Sequence, residues 1–160
     1  MAVDMFMKID DIKGEAQDEK HKGSIDILAW SWGLSQSGST HSGGGSGAGK
    51  VNVQDISFTK HVDQSSPNLI RACCKGTHFK QALLTVRKAG DKPLEYIKIT
   101  LSDLIITSVS TGGSGGEDRL TEHVTLNFSQ FKFEYTPQDA KGAGGGAIPV
   151  AYNISQNKEC

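Results

Sequence analysis

Residues 119–135 read RLTEHVTLNFSQFKFEY. Leu120, Val124, Leu126 and Phe128 hold even positions, and Phe131, Phe133 and Tyr135 then hold odd ones. Side chains on a strand point alternately to opposite faces, so each set marks one buried face and the phase changes near Ser129 and Gln130. A one-residue slip would send the apolar set to the wrong side. The segment therefore predicts either a β-bulge that restores the phase or a strand that bends from one sheet into another. Both devices occur at the corners of small barrels.

Period-two alternation recurs outward from this stretch. Val3, Met5, Met7 and Ile9 predict a first strand over Val3 to Ile9. From Ser24 to Leu34 (SIDILAWSWGL), Leu28, Trp30, Trp32 and Leu34 form a large face, while Ile25, Ile27, Ala29, Ser31 and Gly33 form one that shrinks along the strand. Asn52 to Lys60 sets Ile56 and Phe58 together, Gln81 to Lys88 groups Ala82, Leu84 and Val86, and Glu95 to Leu101 groups Ile97, Ile99 and Leu101. Asp103 to Val109 (DLIITSV) is apolar on both faces at its centre, which suits a strand covered on both sides. One segment carries helix punctuation: Ser66 to cap, Pro67 in the first turn, an apolar side of Leu69, Ile70, Cys73 and Cys74, and Gly76 to stop. It predicts a helix over Pro67 to Lys75. One helix among seven or eight strands points to a β-barrel or sandwich with a helix on its flank.

At 160 residues and 17.1 kDa the chain has the size of one ordinary domain, and we read residues 1–160 as such. Lys plus Arg total 17 and Asp plus Glu 18, so no net field draws in phosphate backbones or acidic lipid, and nucleic-acid and membrane-surface roles are disfavoured. The 19 glycines in 160 residues, close to 12%, are well above the average of about 7%, and hydrophobic residues reach only 36%. Such a supply fills a thin core or is supplemented by burial against other subunits. No apolar run of membrane-spanning length occurs, and Met1 to Lys13 lacks a signal-peptide block. Cys73, Cys74 and Cys160 are an odd set and suggest no disulfide framework. Cys73 and Cys74 are expected as small buried side chains, and Cys160 as a free thiol.

Several motifs point to chemistry and fail on context. Gly44 to Lys50 (GGSGAGK) nearly spells a phosphate-binding loop, but Val51 stands where a magnesium-binding hydroxyl belongs and a strand follows instead of a helix. Gly112 to Gly116 fits GxSxG with Ser114 at the nucleophile position, yet the next segment alternates as a strand. The histidines 21, 41, 61, 78 and 123 show no metal-ligand spacing and read as solvated surface residues. Trp30 and Trp32 read as core packing, and Asp10 to Lys22 as a solvated charged loop. No catalytic residue, metal site or cofactor is expected.

Taken in order, the segments KGEA at Lys13 to Ala16, IDILAWSWG at Ile25 to Gly33, GGGSGAGKVNVQDISFTK at Gly43 to Lys60, PNLIRACCKG at Pro67 to Gly76 and VSTGGSGGEDRLTEHVTLNF at Val109 to Phe128 resemble the Hcp (haemolysin-coregulated protein) family. This is the tube subunit family of bacterial type VI secretion systems. The resemblance implies a mainly β fold, a small β-barrel of two antiparallel sheets with one short flanking α-helix. It also implies six-membered rings that stack into a hollow tube, ejected by a contracting sheath behind a spike. Assembly would occur in the bacterial cytoplasm, with release outside the cell or into a target cell and no membrane insertion. Ala16 departs from the Ser common in the family. Ser31 matches the family position that faces the tube lumen and influences binding of effector proteins. The loop over about 35–50, with Gly43, Gly44, Gly45, Gly47, Gly49 and Lys50, and then Val51 and Val53, matches the family's extended self-assembly loop. The competing class is a monomeric β-sandwich ligand-binding module that uses Trp30 and Trp32.

Overall fold

The structure is a computed structural model and describes residues 2–38, 49–90, 92–139 and 144–160. In chain order the elements are β1 (Val3–Ile9), β2 (Ile25–Asp26), β3 (Ala29–Ser31), β4 (Leu34–Ser35), β5 (Asn52–Val53), β6 (Ile56–His61), α1 (Ser66–Lys75), β7 (Phe79–Lys88), β8 (Leu94–Thr111), β9 (Thr121–Tyr135), β10 (Ile148–Asn153) and β11 (Lys158–Glu159). The chain is mainly β with one short helix, as expected. All pairings are antiparallel, in a nine-stranded sheet ordered β11-β10-β9-β8-β7-β1-β2 with β6 and β3 branching from β9, and a separate β4-β5 pair.

The long strands β8 and β9 organise the molecule. Their outer ladder continues through Ser102↔Gln130 and Leu104↔Phe128 without loss of count, while Asp103 takes a left-handed backbone (φ 51°) that Asp tolerates better than most residues. Both strands change phase together: Leu101 and Phe131 are buried on one side of this point, Leu104 and Phe128 on the other. The phase change near Ser129 is thus a bend, and the register shift that a bulge produces lies elsewhere, between Ile106 and Ser108. Beyond the bend the first half of β9 pairs with β6, and the second half pairs with β10. One sheet folds over on itself, and its inner surfaces share one core that includes Met7, Ile25, Phe58, Leu84, Ile99 and Leu126. The hydrogen-bonded strand order does not close into a complete barrel.

The segment expected as one strand over Ser24 to Leu34 is three short ones. Ile27 donates its N–H to Met5 O at 2.9 Å and Leu28 donates to Thr59 O at 2.8 Å, so the chain leaves β1 and joins β6 between these two residues. The buried face switches there, from Ile25 and Ile27 to the half-buried Trp30 and Trp32, leaving Leu28 and Leu34 exposed. Conversely, the stretches expected as separate strands over 95–101 and 103–109 are the single β8, which buries Leu104 and Ile106 and leaves Ile105 half-covered. β10 and β11 come from a tail that alternation did not mark.

Helix α1 packs on β8 and ends at Gly76 in the left-handed conformation (φ 63°), whose N–H returns to Ala72 O. Its cap differs from expectation. Ser65 is the N-cap, with no side-chain cap hydrogen bond, and Ser66 lies inside the helix with its hydroxyl turned to a buried charge cluster.

Candidate functional site

Ser31 sits on the side of the folded sheet that faces away from the core. Antiparallel pairing sets Ser31 opposite Ser57, Ser57 opposite Thr125, and Thr125 opposite Ser108, one row across β3, β6, β9 and β8. The adjacent row is Ala29, Thr59, His123 and Ser110. Directly opposed residues share a face, so eight neighbouring positions present hydroxyls, one methyl and one imidazole. A typical surface of that size, roughly 30% charged, would hold two or three Asp, Glu, Lys or Arg residues; these eight positions hold none.

The hydroxyls bond to one another. Ser31 Oγ and Ser57 Oγ are 2.7 Å apart, Thr59 Oγ1 and His123 Nδ1 2.9 Å, and Ser108 Oγ and Thr125 Oγ1 2.7 Å. At the bulge, the Thr107 hydroxyl donates to Asp55 Oδ2 at 2.8 Å, and Asn127 Nδ2 donates to the other Asp55 oxygen at 2.8 Å. Both oxygens of the Asp55 carboxylate are thereby occupied. A recess of about 140 Å³ opens between Ala29, Ser31, Ser57, Thr59 and His123, with Trp30 and Phe58 at its floor. The arrangement offers short neutral hydrogen-bonding groups on a stiff four-stranded support and little for acid–base chemistry. Ser114 accepts the Gly116 N–H at 3.5 Å in its glycine-rich turn, while His123 is engaged by Thr59. Among the described residues no group of three His, Cys, Asp or Glu side chains could hold a metal ion.

Of the expected assembly loop, Gly43, Gly44, Gly45 and Gly47 lie outside the described residues. Gly49 packs against the loop's other limb: a Cβ there would come within 2.4 Å of Ser37 Oγ. Val51 is half-buried and Val53 pairs with Leu34 and packs on the core, so the loop returns to the body through an apolar anchor; Lys50 is exposed. Trp32 donates its indole N–H to Gln54 O at 2.9 Å and meets Phe131 edge-on with ring centres 4.9 Å apart. Both tryptophans pack against the core, as the alternation implied. The cysteines are free, with Cys73 half-buried and Cys74 and Cys160 exposed; Cys74 therefore departs from the expected burial because it lies on the helix face turned from β8.

Two polar clusters went unremarked in the sequence. Directly behind the hydroxyl face, Lys60 and Glu122 are cross-strand partners with 0% and 1% of their side chains exposed. The Lys60 ammonium donates to Glu122, lies 3.0 Å from Asp63 Oδ1, and donates to Ser66 Oγ at 3.2 Å, while Ser66 donates to Glu122. The signal was present: Lys60 shares the parity of Ile56 and Phe58, and Glu122 that of Val124 and Leu126. The second cluster holds down residues 10–24. Arg87 Nη1 and Nη2 grip Asp18 at 3.0 and 2.6 Å, Nη2 also reaches Asp4 at 3.0 Å, and the guanidinium lies 5.3 Å from the Phe6 ring centre. The Arg87 hydrogen bond holds the Asp18 carboxyl down at about 2 despite some desolvation, and the same bond raises Arg87.

His21 stacks on Phe6 at 4.5 Å and its Nε2 lies 2.7 Å from Glu95 Oε1. Burial pushes the Glu95 carboxyl up, but hydrogen bonds from His21 and Lys98 together outweigh it and leave it below the ordinary value. Residues 10–24 are accordingly a tethered strap with Ile12 and Ala16 buried beneath it, not a free solvated loop. His21 and His61 likewise depart from solvated behaviour, since His21 is engaged by Phe6 and Glu95 and His61 Nδ1 is buried, whereas His78 and His123 are exposed as expected. A polar cavity of about 590 Å³ beside the strap is lined by charges of both signs, including Lys13, Glu15, Asp26 and Arg119. Burial there raises the Asp26 carboxyl, and Arg119 only partly offsets it.

A family model described as type VI secretion system effector, Hcp, matches residues 6–135. The chain is 62% identical over 159 residues to protein hcp1 of Pseudomonas aeruginosa, covering 98% of each. Among solved structures it resembles Hcp1 from Salmonella typhimurium at 43% identity with a TM-score of 0.84, each chain covered in full. It also resembles a type six secretion system protein at 31% identity and TM-score 0.93, covering 99% of this chain and 100% of that one. The family model spans most of the chain and the hcp1 relative is 62% identical over nearly all of it, so the chain belongs to the Hcp family of secreted type VI secretion system proteins.

Proposed function

We propose that this chain is the tube subunit of a type VI secretion system: six copies close into a ring, rings stack into a tube, and the hydroxyl face around Ser31 lines the bore and receives effector proteins. The observation that carries this reading is the uncharged face itself. A bore lined by short neutral groups leaves room for cargo and holds it by many weak hydrogen bonds, so cargo is sheltered yet released. The sheath and spike are the other expected partners. Residues 1–160 act as one unit in this reading, with the loop over about 35–50 reaching a neighbouring copy and Val51 and Val53 anchoring its return.

The test is light-scattering mass after size exclusion, with electron microscopy of the same peak. A mass near 103 kDa, about six times the 17.1 kDa chain, with a central hole is expected. A 17.1 kDa particle at every concentration would refute assembly. For the bore, Ser31→Glu should leave rings intact and reduce retention of a co-expressed effector; full retention would remove Ser31 from the role.

A further inference from the structure

The recess between β3, β6 and β9 is walled by two hydrogen-bonded pairs, one in each row of the hydroxyl face. Ser31 and Ser57 form the first, 2.7 Å apart, and Thr59 and His123 Nδ1 the second, 2.9 Å apart. Ser57 and Thr59 are half-buried, so the sheet holds the walls, and the space of about 140 Å³ between them has room for several waters or one polar side chain. Residues two apart on a strand are separated by about 7 Å, which sets the distance between the pairs. A single group with two polar atoms spans that distance and bonds to both.

Each pair satisfies itself only in part. In the serine pair one hydroxyl donates to the other, which leaves one hydrogen and free lone pairs. In the second pair Thr59 either donates to Nδ1, leaving Nε2–H, or accepts from it, leaving its own hydrogen and a bare Nε2. Both tautomers therefore keep a donor and an acceptor to spare. The lining of the recess holds no Asp, Glu, Lys or Arg.

The chemistry of these pairs sorts the candidate occupants. A carboxylate would lose water with no counter-ion, and the buried cluster behind the sheet sets one ammonium, Lys60, against two carboxylates, Glu122 and Asp63. An ammonium has only donors and leaves the spare hydrogens of both pairs unmatched. A hydroxyl has one polar atom and reaches one pair. A primary carboxamide carries an acceptor oxygen and two N–H donors in one plane, so it takes the hydrogen of one pair and fills the lone pair of the other.

We infer that this recess seats a primary carboxamide of the cargo, the end of an asparagine or glutamine side chain, with Ser57 and His123 as specificity-determining residues. The inference deepens the reading of the hydroxyl face as the cargo surface and rests on it. Six copies would repeat the seat around the bore, so contacts too weak to hold cargo singly hold it together.

The experiment titrates histidine-labelled protein with propionamide, sodium propionate and propylammonium chloride at equal ionic strength and about pH 8, above the ordinary imidazole range. The His123 ring signals are followed by NMR and assigned by their loss in His123→Gln. Propionamide should shift them saturably and both ions more weakly, and Ser57→Ala should weaken propionamide binding roughly threefold or more, as the loss of one neutral hydrogen bond requires. A flat response to propionamide, an equal or stronger response to either ion, or unchanged binding in Ser57→Ala overturns the inference. Should Ser57→Ala fail to fold, Ser31→Ala removes the other hydroxyl of the pair and is read in its place. The titration does not depend on assembly. If amide binding fails while Ser31→Glu still releases a co-expressed effector, the seat is wrong and the bore stands. If amide binding holds but the chain stays at 17.1 kDa, cargo is not the occupant and the inference falls with the bore.

Discussion

Replacing Lys60 by Met should be among the most damaging single changes in this protein, because it leaves two carboxylates behind. Glu122 is 1% exposed and Asp63 only 8%, and both face the ammonium at the start of α1. Removing one partner of a buried ion pair costs about 3–5 kcal/mol, since the other charge stays desolvated and unpaired. For a domain of this size each kcal/mol lowers the midpoint by about 2–4 °C, which gives a fall of roughly 6–20 °C. Met fills nearly the same space as the Lys stem, so packing loss is small and the electrostatic part dominates. The double variant Lys60→Met/Glu122→Leu removes both charges of the cross-strand pair, and replacing such a pair by apolar residues is often neutral. It should recover most of the loss, with Asp63 near enough to water to rehydrate. The assay is thermal and urea unfolding of wild type, both singles and the double. A Lys60→Met cost below about 1 kcal/mol, or a double variant no better than the single, would refute the view that this cluster is a closed electrostatic unit.

Other expectations follow from the same coordinates. Gly14→Ala would push a Cβ to within 2.4 Å of Ser24 O, a backbone atom in the strap, and should cost about 1–3 kcal/mol in denaturant titration. Because the folded Asp18 carboxyl is held down at about 2 against an ordinary 3.8, its contribution is present above pH 4 and lost as pH falls through 2. Unfolding midpoints measured from pH 6 to 2 should therefore decline less steeply in Asp18→Asn than in wild type. Trp32→Phe removes the indole donor to Gln54 O and part of the edge contact with Phe131, for a loss of about 1–2 kcal/mol by urea unfolding.

Local patterns carried much of the fold. β1 matches the alternation of Val3 to Ile9 to the residue, β6 and β7 bury Ile56, Phe58, Ala82, Leu84 and Val86 as their parity required, and Gly76 ends the helix. The phase change at Ser129 was legible as an event, but its form was not, because a bulge and a bend leave the same trace in one strand. Only the partner strand, with Asp103 in the left-handed region and an uninterrupted count across it, distinguishes them. Leu28, Trp30, Trp32 and Leu34 show the opposite failure. Four large residues in perfect alternation looked like one strand, but β3 ends at Ser31 in the folded sheet and Leu34 belongs to the separate β4-β5 pair.

The candidate site divides along the same line. Ser31 entered through the family resemblance, and its neighbours Ser57, Thr59, Ser108, His123 and Thr125 carry no signal of their own: each is an ordinary outward-facing strand residue. They become one surface only when register sets them in rows. Lys60 and Glu122 were legible by parity but discounted by charge, because a lone buried ion is prohibitive and nothing local shows that its counter-ion lies across the sheet. Asp18 and Arg87 are separated by 69 residues and meet only in space.

What the amino-acid order determined by itself is what depends on near neighbours: the strand period, the helix with its glycine stop, the glycine-rich turns and the balanced charge. Tertiary structure alone decided which strands are adjacent, where the sheet bends, which charges are buried as partners and which hydroxyls share one face. The reason is physical. Alternation and capping act over a few residues, whereas register, desolvation and the edge of a sheet are properties of segments brought together from distant parts of the chain.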